Sequence, residues 1–383
     1  MKNTLLISQD KLTKTMFSAA TIFLAMTAVH ASDVYDDPFE GEGFVKDNWQ
    51  VVCDNTLTCR AAGYSEDGTA SGGATILLTV TPKESAVKAK LKLQNVDDVE
   101  TSPANAWLAS HGSRVSLYLN DKKYGMVELD SASLSGDLST GQTQQLLARA
   151  KQNTKIEFRS GPYRWHVSDS GLSAVLLKLD ESQGRVGTPL ALVSKNNQPS
   201  MTPKSAIPIP KIVAAPVYST EDSNPNIDLT KMDYWRANIE NWIITESNDE
   251  LKEECYALNS DEKWSRDGDW TLTALNAKYT LASHVCWRGA YNEGIGFWVI
   301  DDAIPSKPSL VTYSGGSYDE GQIISGHRGR GLGDCIYLKE WTWNGSSFVN
   351  SKAIGTGLCR MIQLGGAWDM PSYVSEVIEA DKP

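Results

Sequence analysis

Residues 325–334 read S-G-H-R-G-R-G-L-G-D and hold a dense set of polar groups that suits a binding site. A glycine-rich backbone with guanidinium side chains can cradle a carboxylate or a phosphate, because the guanidinium fork matches those anions. The alternative, and the commoner use of such residues, is a hairpin turn whose arginines pair with surface acids. The strand-to-helix context of a dinucleotide-binding loop is lacking. We therefore take His327, Arg328, Arg330 and Asp334 as candidate binding residues.

Aromatic side chains offer a second candidate surface. Nine of the twelve tryptophans lie in the C-terminal half, several of them close to tyrosines and acids. Trp341 and Trp343 are two residues apart on a predicted strand, so they face the same side, and an exposed pair would suit sugar or peptidoglycan binding. Core packing is the alternative and is expected for most of the tryptophans.

Local signatures of catalysis are lacking. The sequence contains no G-x-S-x-G, H-E-x-x-H, phosphate-binding loop or EF-hand spacing. A Ser/His/Asp set remains open, because its members need not be close in the sequence. Four histidines follow the N-terminal segment: His111, His166, His284 and His327. Two acidic pairs, Asp267 with Asp269 and Asp301 with Asp302, are candidate acid or calcium sites, but each is more simply a turn. We predict no catalytic residue, metal or cofactor.

The six cysteines predict disulfide bonds. An even count in an oxidising compartment favours disulfides, and six cysteines allow fifteen pairings. Pairing of nearest neighbours is the simplest scheme that respects the two halves of the chain, and it gives Cys53–Cys59, Cys255–Cys286 and Cys335–Cys359. Metal binding is weakly supported, since no C-x-x-C occurs and no histidine lies at ligand spacing.

The pattern of apolar residues predicts an α+β protein. In the N-terminal half, alternating runs at 49–53, 74–80, 87–93, 114–119 and 123–129 predict an antiparallel sheet, and 139–151 and 170–180 predict two helices on it. Ser139 or Thr140 is placed to cap the first helix. In the C-terminal half, a helix at 231–244 precedes short β runs separated by Gly- and Asp/Asn-rich turns, which is typical of a mainly β domain.

The N-terminal segment and the charge predict the compartment. Three lysines, an apolar run from Met16 to Val29 and a final Ala31 have the layout of a signal peptide. Removing it leaves a net charge of −13 in place of −11, so nucleic acid and anionic membranes are not expected partners. No later segment is apolar enough to span a membrane. The predicted organisation is a signal peptide (1–31), an N-terminal α+β domain (32–195), a Pro-rich linker (196–225) and a mainly β C-terminal domain (226–383). The alternative interpretation of the linker segment is an ordered strand packed across a domain surface.

Several motifs resemble a family of exported Gram-negative proteins that is known only as a domain of unknown function, the eleven-seventy-six family. They are W-Q-V-V-C from Trp49, D-E-S-Q-G-R from Asp180, C-W-R-G-A-Y-N from Cys286, R-G-L-G-D-C from Arg330, W-T-W-N-G from Trp341 and C-R from Cys359. The N-terminal part is also similar, more weakly, to invasion-associated locus B proteins, which are secreted sandwich-like domains. The resemblance implies an envelope location and supplies no reaction.

The sequence therefore predicts a periplasmic or secreted, disulfide-stabilised binding protein. Its expected partner is an envelope protein or a cell-wall glycan, bound through the C-terminal domain without turnover. A hydrolase of wall polymers, with Asp301 or Asp302 as acid or base, is one alternative, and it requires a carboxyl group with a raised pKa in a cleft. An inhibitor of a hydrolase is another, and it requires a protruding basic loop.

Overall fold

The computed structural model describes residues 43–66, 72–95, 102–194, 202–218, 229–245, 249–259 and 270–380. The predicted signal peptide and the Asp267/Asp269 pair lie outside these ranges. Within them, the chain is mainly β with short helices, which confirms the predicted α+β class. No helix in the described ranges has both the length and the apolar character needed to cross a membrane.

The N-terminal half forms two antiparallel sheets. A six-stranded sheet has the order β1-β2-β3-β4-β5-β8, and a four-stranded sheet has the order β10-β9-β6-β7. The strands are β1 (Phe44–Lys46), β2 (Trp49–Cys53), β3 (Cys59–Tyr64), β4 (Ala74–Val80), β5 (Val87–Leu93), β6 (Arg114–Leu119), β7 (Lys122–Glu128), β8 (Ser135–Asp137), β9 (Ile156–Ser160) and β10 (Tyr163–Val167). The five predicted strands are thus present, four of them with the predicted bounds.

Three helices accompany these sheets: α1 (Pro103–Ser110), α2 (Thr140–Leu147) and α3 (Leu172–Ser182). Helix α2 begins with a reciprocal capping box, in which the Gln142 backbone N–H donates to Ser139 Oγ and the Ser139 N–H donates to Gln142 Oε1. Helix α3 packs against β1, β2 and β3. Helix α1 was not predicted; it buries Ala104 and Leu108 in the shared N-terminal core.

A buried polar pair secures the end of α3. The Asp180 carboxylate accepts a hydrogen bond from the Leu192 backbone N–H (2.8 Å), and the Arg185 guanidinium donates to the carbonyls of Thr81 and Leu190 (3.1 Å each). Both charged side chains are fully buried, and burial lowers the pKa of Arg185. The D-E-S-Q-G-R motif therefore ties α3 to the loops around it.

The C-terminal half contains a helical layer and two antiparallel sheets, of order β12-β13-β14-β15 and β16-β17-β18-β19-β20. The helices are α4 (Leu229–Thr245), α5 (Asp249–Glu254) and α6 (Tyr256–Asn259). The strands are β12 (Thr271–Ala274), β13 (Tyr279–Arg288), β14 (Glu293–Asp301), β15 (Ser309–Gly315), β16 (Ser317–Asp319), β17 (Gln322–Arg328), β18 (Ile336–Trp343), β19 (Phe348–Gly355) and β20 (Met370–Val374).

The apolar run of strand β14 is continuous because both faces of the strand are covered. Trp298 and Ile300 pack in the cluster formed with the helices, whereas Phe297 and Val299 pack in the cluster formed with the second sheet. Successive side chains of a strand point to opposite faces, so a strand covered on both faces needs apolar residues at every position.

The three predicted disulfides are confirmed. Cys53–Cys59, Cys255–Cys286 and Cys335–Cys359 are all formed, and no described cysteine is free. The first closes a hairpin turn in which the Asp54 carboxylate accepts hydrogen bonds from the Thr56 backbone N–H (2.9 Å) and from Arg60 (2.8 Å). Three disulfides fit a protein of an oxidising compartment outside the cytoplasm.

The described part of the predicted linker, residues 202–218, contains strand β11 (Lys211–Ala214). It pairs in parallel with β21 (Glu376–Glu379), the last strand described in the chain. No sheet in the described ranges combines a strand from β1–β10 with one from β12–β21, although an isolated bridge joins Asn95 and Gln363. The division into two domains at 196–225 stays a prediction, and the segment holds an ordered strand.

The two halves meet in a shared buried cluster, which combines Val52, Ala62 and Tyr64 with Ile362, Ala367, Trp368 and Met370. Polar contacts join the same surfaces: the Leu358 backbone N–H donates to Tyr64 Oη (3.2 Å), and Trp368 Nε1 donates to Thr75 Oγ1 (2.9 Å). Because Tyr64 is fully buried, its pKa is raised, and the hydroxyl stays protonated. The described halves therefore pack as one unit.

Candidate functional site

The predicted polar stretch lies where β17 ends and β18 begins. His327 pairs with Tyr337 in this ladder, and its ring is buried. His327 Nδ1 lies 3.1 Å from Ser325 Oγ, Nε2 lies 3.2 Å from the Glu293 carbonyl oxygen, and the ring stacks on Trp287. His327 therefore supports the base of the loop and presents no free face to a ligand.

Asp334 and Arg330 form an internal ion pair. Arg330 Nε donates to Asp334 Oδ1 (2.7 Å) and Nη2 donates to Oδ2 (2.6 Å), while the Met361 backbone N–H donates to Oδ2 (2.7 Å). Burial alone would raise the pKa of the Asp334 carboxyl, but these hydrogen bonds and the nearby positive charge outweigh burial and lower it. Asp334 is thus ionised, and its hydrogen bonds fix the loop at Arg330 and at Met361.

The loop is joined covalently to a second loop. Cys335–Cys359 links the end of the polar stretch to residues 360–366, and the Gly365 backbone N–H donates to the Gly333 carbonyl (2.8 Å). Donor atoms of Asp334, Cys335 and Cys359 lie within 4.8 Å of one another. Both sulfurs are consumed in the disulfide, so this group lacks the thiolates that a metal would need.

A third loop, the turn between β13 and β14, completes the surface. The Asn292 side chain donates to the Arg328 carbonyl (2.9 Å) and accepts from the Arg328 backbone N–H (2.9 Å). Tyr291 lies over Gly331, where an added Cβ would stand 3.6 Å from the ring. Three loops therefore meet at one end of the C-terminal sheets.

We call the exposed side chains of these loops the loop tip: Tyr291, Arg328, Leu332, Met361 and Leu364. The four apolar members are between 36% and 57% exposed, and Arg328 is exposed as well. The loops beneath are held by the disulfide, the Arg330–Asp334 pair and the Asn292 clamp. Exposed apolar side chains on a rigid support are a feature of binding surfaces.

The charge around the loop tip is opposite to that of the whole chain. The Arg288 guanidinium pairs with Glu293, and Arg360 Nη2 donates to Asn48 Oδ1 (2.9 Å). Among the charged side chains of these three loops, the basic ones outnumber the acidic ones by two, although the whole chain has a net charge of −11. The basic residues are Arg288, Arg328, Arg330 and Arg360, and the acidic ones are Glu293 and Asp334.

The predicted aromatic pair lies inside the protein. Trp341 is 5% exposed and Trp343 is 0% exposed, and both pack with Phe297 and Phe348 between the two sheets. The same-face placement was predicted correctly, but that face is covered by the neighbouring sheet. Neither ring offers a surface to a ligand in this structure.

The carboxylates proposed for a hydrolase have structural contacts. Asp302 pairs with Lys231 (2.7 Å), and Asp301 Oδ1 accepts a hydrogen bond from the Ala303 backbone N–H (2.8 Å) as part of a turn. Asp302 therefore joins helix α4 to the turn that follows β14, and Asp301 stabilises that turn.

The comparisons with known proteins fit the motifs quoted from the sequence. A family model described as "Protein of unknown function (DUF1176)" matches residues 43–375. The chain belongs to the DUF1176 family. It is also similar to "Uncharacterized protein YpfG" of Escherichia coli (strain K12), with 24% identity over 329 residues, which cover 79% of this chain and 84% of the relative. No solved structure matches. The similarity to invasion-associated locus B proteins stays a prediction.

Sequence reasoning missed the apolar part of the loop tip. Leu332, Met361 and Leu364 read as ordinary apolar residues in loops. The usable signal was their position, since each lies within five residues of Cys335 or Cys359, and Leu332 is flanked by Gly331 and Gly333. Tyr291 lay inside a quoted motif, and its exposure was not predicted.

Proposed function

We propose that this DUF1176 protein is an exported binding protein that acts without turnover and contacts an acidic partner protein through the loop tip. The observation that carries the proposal is the combination of exposed apolar side chains and excess arginine on three mutually braced loops. Large apolar groups beside arginine are typical of the energetic centres of protein interfaces.

Charge favours an acidic partner. Most of the protein surface is expected to repel an acidic partner, since the chain carries −11 overall. The loop tip reverses that sign locally, so it would orient an acidic partner towards these loops as it approaches. The envelope location rests on the predicted signal peptide and the three disulfides.

Preorganisation supports binding by the same loops. The disulfide Cys335–Cys359, the Arg330–Asp334 pair and the Asn292 clamp reduce the conformational freedom that the loops lose when a partner binds. A surface that is already ordered spends less free energy on association.

A pull-down from envelope extract, with recovery quantified over a range of salt concentrations, tests the proposal. The variant Arg328→Ala/Leu332→Ala removes one exposed cation and one exposed aliphatic group, and its matched control, Lys88→Ala/Ile207→Ala, does the same elsewhere. We expect one partner to be retained by the native protein and by the control, with affinity for the tip variant lowered about 30-fold or more. Recovery should also fall as salt is raised.

Three outcomes would contradict the proposal. Equal retention of every partner by the tip variant and by the native protein would remove the loop tip from the interface. If the tip variant and the native protein bound isolated peptidoglycan equally well, a glycan-binding site would lie outside the loop tip. Release of soluble fragments from peptidoglycan would show turnover. Loss of activity of a captured hydrolase on binding would support the proposal in its inhibitory form.

A further inference from the structure

A second basic site lies in the N-terminal half, on the outer face of the four-stranded sheet β10-β9-β6-β7. Strand β6 places Arg114, Ser116 and Tyr118 on one face by alternation. In the sheet register, Ser116 lies opposite Arg159, which lies opposite Arg164. Side chains opposite one another on neighbouring strands are close enough to act together.

These side chains surround a depression of about 350 Å³, lined by Arg114, Ser116, Tyr118, Arg159, Ser160 and Arg164. This volume is at the lower end of the range for small-molecule sites, roughly 300–1,000 Å³. Its lining brings three guanidiniums and three hydroxyls into one concave surface.

Arg159 forms the fixed part of the site. Its guanidinium pairs with Asp121 and Glu157, and it lies 4.1 Å from the centre of the Tyr118 ring. These contacts hold the side chain in one orientation. Burial would raise the pKa of Glu157, but the hydrogen bonds from Arg159 and Lys155 outweigh it and lower the pKa, so this carboxylate stays ionised.

Arg114 and Arg164 form the available part. Both are exposed, and neither forms a side-chain hydrogen bond or ion pair with any residue in the described ranges. The Ser160 hydroxyl accepts a hydrogen bond from Trp107 Nε1 (3.3 Å), which leaves its own hydrogen available to be donated. The side-chain donors of Arg114 and Arg164 are therefore not taken up by hydrogen bonds or ion pairs in the part of the chain that the structure describes.

The formal charge also favours an anion. Five cations lie on this face or at its edge, against three carboxylates. The cations are Arg114, Lys123, Lys155, Arg159 and Arg164, and the carboxylates are Asp121, Glu157 and Glu128, which lies opposite Arg114 in the sheet register. The excess of two positive charges suits a multiply charged oxyanion. A phosphate group has more oxygens than a carboxylate to satisfy guanidiniums that approach from different strands.

We propose that the depression between Arg114, Arg159 and Arg164 binds a phosphate group, carried either by a small phosphate ester or by a lipid headgroup. This site is separate from the loop tip and does not depend on the function proposed for those loops.

Isothermal titration with inorganic phosphate, in a phosphate-free buffer at low ionic strength, tests the site. The variant Arg114→Ala/Arg164→Ala removes the two available guanidiniums and leaves the Arg159 network intact. Its matched control, Lys88→Ala/Lys90→Ala, removes two exposed cations from strand β5. We expect saturable binding by the native protein and the control, and an affinity at least about tenfold lower for each guanidinium removed. Circular dichroism checks that each variant is folded.

Two further probes decide the source and the chemistry. Vesicles that contain phosphatidylglycerol test a lipid headgroup: binding to vesicles alone, lost in the arginine variant and kept in the lysine control, would support the lipid form of the proposal. Acetate tests selectivity, and it should bind more weakly than phosphate. Equal binding of acetate, equal losses in the two variants, or no saturation by phosphate up to about 10 mM and no vesicle binding would overturn the proposal.

Discussion

The contact between the two halves predicts the effect of removing one oxygen atom, by Tyr64→Phe. The Tyr64 side chain is fully buried, and its Oη accepts a hydrogen bond from the Leu358 backbone N–H (3.2 Å). The neighbouring Gly357 has a φ of +92°, and a Cβ there would stand 2.0 Å from Tyr64 Oη, so the backbone approaches the hydroxyl closely. Phenylalanine would leave the Leu358 N–H buried without its acceptor.

The expected magnitude follows from that lost acceptor. A buried donor left unsatisfied costs about 1–3 kcal/mol, and the ring itself keeps its packing. With a urea m-value of about 3 kcal/mol/M, the unfolding midpoint should fall by roughly 0.3–1 M. Urea unfolding followed by tryptophan fluorescence measures this change.

A second tyrosine provides the control. Tyr234 is 59% exposed on α4, so Tyr234→Phe makes the same chemical change at the surface and should change the free energy of unfolding by no more than about 0.5 kcal/mol. If Tyr64→Phe moved the midpoint by as little as Tyr234→Phe does, the hydroxyl would not contribute to the contact between the halves, and the reasoning would be refuted.

Three further predictions concern other charged or covalent contacts. Because the pKa of Asp334 is lowered, its contribution to stability is fully present at pH values above the ordinary pKa of 3.8 and is lost as pH falls through its pKa in the folded protein. Asp334→Asn should therefore lower the free energy of unfolding by about 1–3 kcal/mol at neutral pH. In acid unfolding titrations, the difference in stability between this variant and the native protein should shrink. Cys335→Ala/Cys359→Ala opens a loop with a sequence separation of 24 and should lower the free energy of unfolding by about 3 kcal/mol, measured in urea, with a change under about 1 kcal/mol contradicting it. Arg185→Met should lower it by about 3 kcal/mol or more, because Asp180 would stay buried without its neighbouring cation; near-native stability would contradict that account.

Four strands of the N-terminal half were predictable because their signal is local. The runs at 49–53, 74–80, 87–93 and 114–119 alternate apolar and polar residues or are rich in β-branched ones, and the observed strands have those bounds. Pairing of neighbouring cysteines was predictable for a related reason: short connections keep residues that are close in the sequence close in the fold. Helix α1 was missed because its eight residues carry a weak pattern and depend on packing for stability.

The exposure of the candidate binding residues was predicted only in part. Arg328 was selected as a candidate and is exposed, and Arg330 was selected and is engaged with Asp334. Trp341 and Trp343 were selected for their residue type, but the first C-terminal sheet covers the face on which they lie. Whether a strand face meets solvent or another sheet depends on contacts between segments far apart in the sequence.

By itself, the sequence determined the α+β class, the bounds of four N-terminal strands and the disulfide partners, because these depend on residue order over short distances. Only the tertiary structure decided which side chains are available. The loop tip exists because three loops from separate strands converge, and the arginine depression exists because β6, β9 and β10 align in one register. Exposure and convergence are properties of packing between distant segments, and no local pattern of residue types encodes them.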